Sequence, residues 1–337
     1  MKKIYSLIIL TGLGFFIISF ILFSEEITIN PEDGLSLETQ IRELRKKQDS
    51  KIIIYAVGDI MLDRGVEHMI ITKGEGDFKF PFIKIAQDLR KADILFGNLE
   101  GPIAENGVKV GSIYSFRSDP KVIEGLNYAG FNMLSLANNH MLDYTRTALE
   151  ETMKNLKDNQ IDYVGAGLNE TEAFSLKIKE TKGIKIGFLA YTDLGLSTWR
   201  AREKESGMAW IEENEIDKIR QNIEEQKKKI DVLIVSLHSG EEYQNYPNAF
   251  QEKFARTCID AGADIILGHH PHVVQKTEEY KNGWIIYSLG NFVFDQFFSS
   301  ETMKGVLLEI IIINGKIEEV NTKEIAISEF YQPYLVE

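Results

Sequence analysis

Five short apolar runs, each ending in a polar cluster, recur along this chain and predict its architecture. Ile52-Ile53-Ile54-Tyr55-Ala56-Val57 runs into Gly58-Asp59. Asp93-Ile94-Leu95-Phe96 leads into Gly97-Asn98-Leu99-Glu100, and Asn132-Met133-Leu134-Ser135-Leu136 into Ala137-Asn138-Asn139-His140. The run 231–237 precedes His238-Ser239-Gly240-Glu241, and 264–267 precedes Gly268-His269-His270-Pro271-His272. Nearly unbroken apolar runs of this length read as strands buried on both faces. Helical patterning fills the intervals at 83–91, 120–129, 145–159, 213–229 and 250–261. Strands alternating with helices imply an α/β domain, and in such sheets ligands bind at the carboxyl ends of the strands. Other segments read as antiparallel: 174–179 and 184–190 flank Lys182-Gly183, and Asn314-Gly315 predicts a hairpin between 306–313 and 316–320.

The N-terminal stretch has a different pattern. Residues 4–23 carry no charge and follow Lys2 and Lys3. About 20 apolar residues suffice to cross a bilayer as a helix, and no small-x-small cleavage site ends this run. We therefore expect an uncleaved, single-pass signal anchor over 1–23 in the cell membrane. A polar spacer, helix-like at 35–48, would occupy 24–50, and the domain 51–337 would lie outside the cytoplasm.

Composition narrows the picture. Of 337 residues, 44% are hydrophobic and 26% charged, as in an ordinary globular protein. A net charge of −13 argues against a nucleic-acid partner, which needs a basic face. The single cysteine, Cys258, excludes an internal disulfide framework and a cysteine zinc site, and reads as a small buried residue.

The candidate chemistry is concentrated at the strand ends. Three of the six histidines fall within positions 268–272. In extended backbone the side chains of His270 and His272 leave on the same side. Pro271 rigidifies the loop between them, and imidazole is the commonest transition-metal ligand. Taken alone, the cluster suits a polar loop equally well. Added to Asp59, Asn98, Glu100, Asn139, His140 and His238, it gives the carboxylate, amide and imidazole set that a two-metal hydrolytic site requires. His269 faces either way, and His68 reads as surface or packing. Asn291 and Asp295, in a string with Phe292, Phe294, Phe297 and Phe298, read as a turn and core strand, or as a wall of the substrate cleft. Trp199-Arg200-Ala201-Arg202 reads as surface, with contact to an anionic substrate as the alternative.

The order of these strings resembles the calcineurin-like metallophosphoesterases and, more closely, the CapA family of poly-γ-glutamate capsule synthesis proteins. The resemblance rests on Val57-Gly58-Asp59-Ile60-Met61, Gly97-Asn98-Leu99-Glu100-Gly101-Pro102 and Ala137-Asn138-Asn139-His140-Met141-Leu142-Asp143. It continues through His238-Ser239-Gly240-Glu241-Glu242-Tyr243, the histidine cluster with Val273-Val274-Gln275, and Tyr287-Ser288-Leu289-Gly290-Asn291-Phe292. It implies an α/β/β/α sandwich and one or two divalent metal ions, with Mn, Zn, Fe and Mg all open. Asp59 and His272 would serve one position, and Asn139, His238 and His270 the other, with Glu100 the candidate bridging carboxylate. His140, with Asp143 nearby, would protonate a leaving group or stabilise a phosphoryl oxygen, while Asn98 and Asn291 would contact substrate. The implied function is capsule biosynthesis or export by a metal-dependent hydrolase, cutting a phosphoester or an amide of a γ-linked glutamate polymer. Its implied partners are the membrane, other polyglutamate synthesis subunits and the anionic polymer. The wider superfamily has a metal-binding histidine where Met61 stands, and Gly-Asp-x-x-Asp where Gly97-Asn98-Leu99-Glu100 stands. Those departures motivate an alternative, a non-catalytic scaffold subunit of a synthase or export complex.

Overall fold

The computed structural model describes residues 6–12, 15–22, 25–28 and 51–336, in two units divided at Lys51. In the first unit, β1 (Ser6–Gly12), β2 (Phe15–Leu22) and β3 (Glu25–Thr28) form an antiparallel sheet. The expected anchor helix over 1–23 is not shown among the described residues. The run is rich in isoleucine and phenylalanine, which favour strands, and Gly12 and Gly14 interrupt it. Among the described residues no helix is long and apolar enough to cross a membrane. The helix-like 35–48 lies outside the described residues.

The second unit is built on two sheets. β4 (Ile52–Ile60), β5 (Ile94–Leu99), β6 (Met133–Ser135) and β7 (Asp162–Val164) are the parallel half of the first sheet. A small pair, β8 (Ala166–Gly167) with a later strand, stands apart. β9 (Lys177–Thr181) and β10 (Ile184–Thr192) form a hairpin, and β11 (Gly207–Met208) partners β8. β10 then runs parallel to β12 (Val232–His238) and β13 (Ile265–His269). The second sheet is completed by β14 (Thr277–Tyr280) and β15 (Gly283–Ile286), in the order β14-β15-β13-β12-β10-β9. β16 (Asn291–Val293), β17 (Lys304–Ile313), β18 (Lys316–Ile327) and β19 (Pro333–Leu335) return to the first sheet. Lys182 and Gly183, like Asn314 and Gly315, have positive φ at both central positions, as a type I′ hairpin requires.

Strand alternation sorts the apolar residues into layers. Ile52, Ile54 and Ala56 of β4 face Ile186 and Phe188 of β10, Ile234 of β12 and Leu267 of β13 in a core between the sheets. There Phe96 and Phe188 stack with centroids 5.9 Å apart. The other face of the first sheet packs against α1 (Arg64–Thr72), α2 (Ala86–Leu89), α3 (Val122–Ala129) and α4 (Thr145–Asp158). Beyond the single turn of α5 (Glu170–Ala173), α6 (Ile216–Lys227) and α7 (Ala249–Asp260) cover the outer face of the second sheet, burying Cys258. The result is a helix–sheet–sheet–helix sandwich, the layering expected.

Register brings the polar strand ends together. Asp59 lies opposite both Asn98 of β5 and Asn291 of β16, and His238 lies opposite His269. Gly58 makes the pairing with Asn291 of β16 possible, because a Cβ there would stand 1.9 Å from the Gly290 carbonyl oxygen. That same oxygen accepts the Asp59 N–H at 3.1 Å. Gly58→Ala is expected to lower stability by about 1–3 kcal/mol through overpacking. Urea unfolding of the purified protein measures this, and an unchanged midpoint would contradict the close approach.

Candidate metal centre

The carboxyl ends of β4 and β5 from one sheet and of β12 and β13 from the other meet at Asp59. Its carboxylate is fully buried, so its lost hydration must be replaced by partners. Asn98 Nδ2 donates to Oδ1 at 2.9 Å, and the His270 backbone N–H donates to Oδ2 at 3.2 Å. His269 Nδ1 lies 3.3 Å from Oδ1, and His272 Nδ1 3.4 Å from Oδ2. Burial pushes the Asp59 carboxyl up, but the neighbouring imidazoles of His269 and His272 outweigh it and hold it well below the usual range.

The two asparagines expected to touch substrate lie beneath the site, fully buried. Asn98 Nδ2 is also 3.2 Å from His238 Nδ1, while its Oδ1 accepts from Asn138 Nδ2 at 3.1 Å. Asn291 Oδ1 stands 3.0 Å from His272 Nδ1, and its Nδ2 donates to the Thr302 carbonyl at 2.9 Å. Strand register explains this placement: both residues pair with Asp59, so their amides orient the imidazoles around it. On the other side, His238 Nε2 and Asn139 Oδ1 point at each other across 2.7 Å.

The histidine loop is not extended backbone. His270 has φ 97° and His272 φ 57°, left-handed values that cost non-glycine residues on the order of 1–3 kcal/mol each. Such strain persists only where surroundings enforce it. Here the His270 N–H is held by Asp59, and the Pro271 carbonyl accepts the Tyr243 N–H at 2.8 Å. The rings of His270 and His272 still converge, with centroids 5.7 Å apart, and His270 lies 5.0 Å from His238.

Glu100 and His140 form the rim. Glu100 is 1% exposed, and its Oε1 has no hydrogen-bond partner. That oxygen sits 3.6 Å from His272 Nε2 and 3.8 Å from His140 Nε2. His140 Nδ1 is 2.7 Å from Asp143 Oδ2, and its ring stacks on Phe116 at 4.1 Å. Asp143 also accepts the Phe116 N–H at 2.8 Å, so one carboxylate fixes both rings. His140 opens onto a cleft of about 410 Å³ lined by Asn139, Asp143, Leu196, Trp199 and His270.

These residues fit a divalent cation. Besides Glu100 Oε1, both ring nitrogens of His269 and Nδ1 of His270 are buried without hydrogen-bond partners. Leaving such atoms unpaired is expensive, and coordination would satisfy several of them at once. Among the described residues two groups of three have ligating atoms all within 4.8 Å of one another: Asp59, Glu100 and His272, and Glu242, His270 and His272. Burial pushes the His270 ring down, with the charge of His272 adding, to about 3, and holds His238 well below its usual value. Burial also opposes charge on His272, but the Glu100 charge and the Asp59 contact win and push it up to about 9. Glu100 is held well above the carboxylate range by burial, against the pull of His272.

Two residues of the site escaped the sequence. His269 is fully buried beside Asp59, and the signal for it was its strand position, level with His238. Glu242 stands in the string 238–243 that carries the resemblance, where it has no implied role. Of the basic loop, Arg200 is engaged by Glu170 and Glu215, and Arg202 pairs with Glu205. His68 is exposed on α1.

The model of the family described as bacterial capsule synthesis protein PGA_cap matches residues 36–296. The capsule biosynthesis protein CapA of Bacillus anthracis is 34% identical over 76% of this chain and 63% of its own length. The PGA biosynthesis protein CapA of Bacillus subtilis is 35% identical over 71% of this chain and 62% of its own. The chain thus spans under two thirds of the length of these relatives. Among solved structures, a phosphatase from Mycoplasma pneumoniae is similar at 15% identity and a TM-score of 0.46, covering 82% of this chain and 94% of that one.

The metal-free site makes stability depend on pH in two limbs. The raised His272 contributes fully below its unfolded value of about 6.5, and that contribution is lost as pH rises through about 9. The depressed His270 acts in the opposite direction, removing stability as pH falls below about 6.5. Chelator-treated protein should therefore melt at progressively lower temperature from neutral pH toward 9. His272→Gln should flatten that alkaline limb in a melting series; a limb of unchanged slope would remove His272 as its source.

Proposed function

This chain belongs to the bacterial capsule synthesis family, and from that premise we propose that it is a membrane-anchored, metal-dependent hydrolase of poly-γ-glutamate capsule biosynthesis or export. The single observation that carries the hydrolase reading is the convergence of buried, unpaired donors around Asp59, Glu100, His270 and His272. We read the four-layer sandwich as a calcineurin-like metallophosphoesterase fold, with the anchor in 1–23 and the second unit outside the cytoplasm. Other polyglutamate synthesis subunits and the anionic polymer are its partners in this reading.

Asp59, Glu100 and His272 would hold one ion, and Asn139, His238 and His270 another. A bound divalent cation supplies Lewis-acid polarisation of an ester or amide oxygen and makes water nucleophilic near neutral pH. The chain's own groups do the rest. Asn98 and Asn291 fix the imidazoles of His238 and His272, as partners behind a ligand shell do. His140, oriented by Asp143 and braced by Phe116, presents Nε2 on the cleft side to protonate a leaving group. Substrate is a phosphoester or a γ-linked glutamyl amide entering between Leu196 and His140.

A second reading, the non-catalytic scaffold, is favoured by Met61. Its side chain is fully buried and its thioether accepts the Asp63 N–H at 3.2 Å, so that position contributes no donor to the site. Metal analysis of the purified protein separates the two. His238→Ala should lose bound metal and hydrolysis of polyglutamate or a phosphodiester together, with capsule production lost in cells. Retained hydrolysis in that variant would sink the metal-centred mechanism, and a capsule made normally without bound metal would establish the scaffold.

A further inference from the structure

We infer that Glu242 supplies the carboxylate of the second divalent-cation position, joining His270 there beside His272, and is contributed by a loop instead of a strand end. This rests on the metal-dependent reading above, and it adds a ligand which that reading does not contain. The carboxylate of Glu242 and ring nitrogens of His270 and His272 lie within 4.8 Å of one another. His270 Nδ1 is buried and has no partner, so one of these nitrogens already lacks a bond that a cation would provide.

The loop is fixed in the posture this requires. It leaves β12 through Gly240, whose φ of 113° only glycine adopts readily. It is then pinned by Tyr243, itself left-handed at φ 65°, whose N–H donates to the Pro271 carbonyl at 2.8 Å. The Tyr243 hydroxyl accepts from Gln296 Nε2 at 3.3 Å, and the ring meets Phe298 edge-on at 5.1 Å. The residue before such an anchor has little freedom to swing away from His270 and His272.

Charge argues the same way. The first group brings two carboxylates, Asp59 and Glu100, to one ion. The second would be imidazole and amide alone without Glu242, a poor match for a second dication a few ångströms away. Glu242 differs from the other donors in being exposed while the two histidines are buried. The second position therefore opens to solvent through its own ligand, whereas the first is enclosed.

The test is Mn²⁺ titration of the full-length protein, read by calorimetry for stoichiometry and by electron paramagnetic resonance for coupling between ions. Wild type is expected to bind two Mn²⁺ as a coupled pair. Glu242→Gln should bind one, with an uncoupled signal, and should keep its melting temperature in the metal-free state because Glu242 is a surface residue. Two coupled ions of unchanged affinity in Glu242→Gln would overturn the assignment and leave the metal reading standing. One ion in both proteins would also overturn it. No Mn²⁺ bound by wild type would overturn both.

Discussion

Taking the Asp59 carboxylate out of water costs several kcal/mol unless charge and hydrogen bonds replace its hydration, and much of the second unit is arranged to supply them. Asn98 and the His270 N–H donate to it, and His269 and His272 flank it with ring nitrogens. These donors come from the end of β5 and from the end of β13 with the loop that follows it. The demands of one anion therefore reach the register of β4 with β5, the entry of β16 and the strained turn of the histidine loop. Gly58 belongs to the same set, since its missing side chain lets β16 approach.

Around this pairing the site carries unpaired polar atoms. Glu100 Oε1, His269 and His270 Nδ1 are buried without partners, though native proteins rarely leave such groups unpaired. An apolar core would tolerate none of them. Together with left-handed backbone at His270 and His272, they describe a site whose stability has been exchanged for unsatisfied chemistry, as functional sites commonly show.

Much of this could be read from the residues before any coordinates. The parallel strands were legible because buried strands are written as unbroken apolar runs, and their polar ends marked Asp59, Glu100, His238 and the histidine loop. Asn314-Gly315 and Lys182-Gly183 announced their hairpins by turn chemistry alone. What remained hidden was long-range. Nothing local says that β12 and β13 join a different sheet from β4 and β5, or that the three-residue β16 slips in beside Asp59. Asn98 and Asn291 looked like cleft residues, because polarity at a strand end does not reveal that a pairing partner will bury it. Glu242 was hidden because an exposed acid in a loop resembles any other until the fold brings His270 beside it.

The site is assembled across a seam. Asp59, Asn98 and Asn291 belong to one sheet, and His238, His269, His270 and His272 to the end of the other. The group of Asp59, Glu100 and His272 draws on both sheets, so neither sheet holds it alone. The Asp59–His272 contact is accordingly an intersheet staple as well as part of a reactive centre. A substitution that retunes the reactivity also changes how the halves are fastened, which ties adaptive drift of the centre to the mechanical integrity of the sandwich.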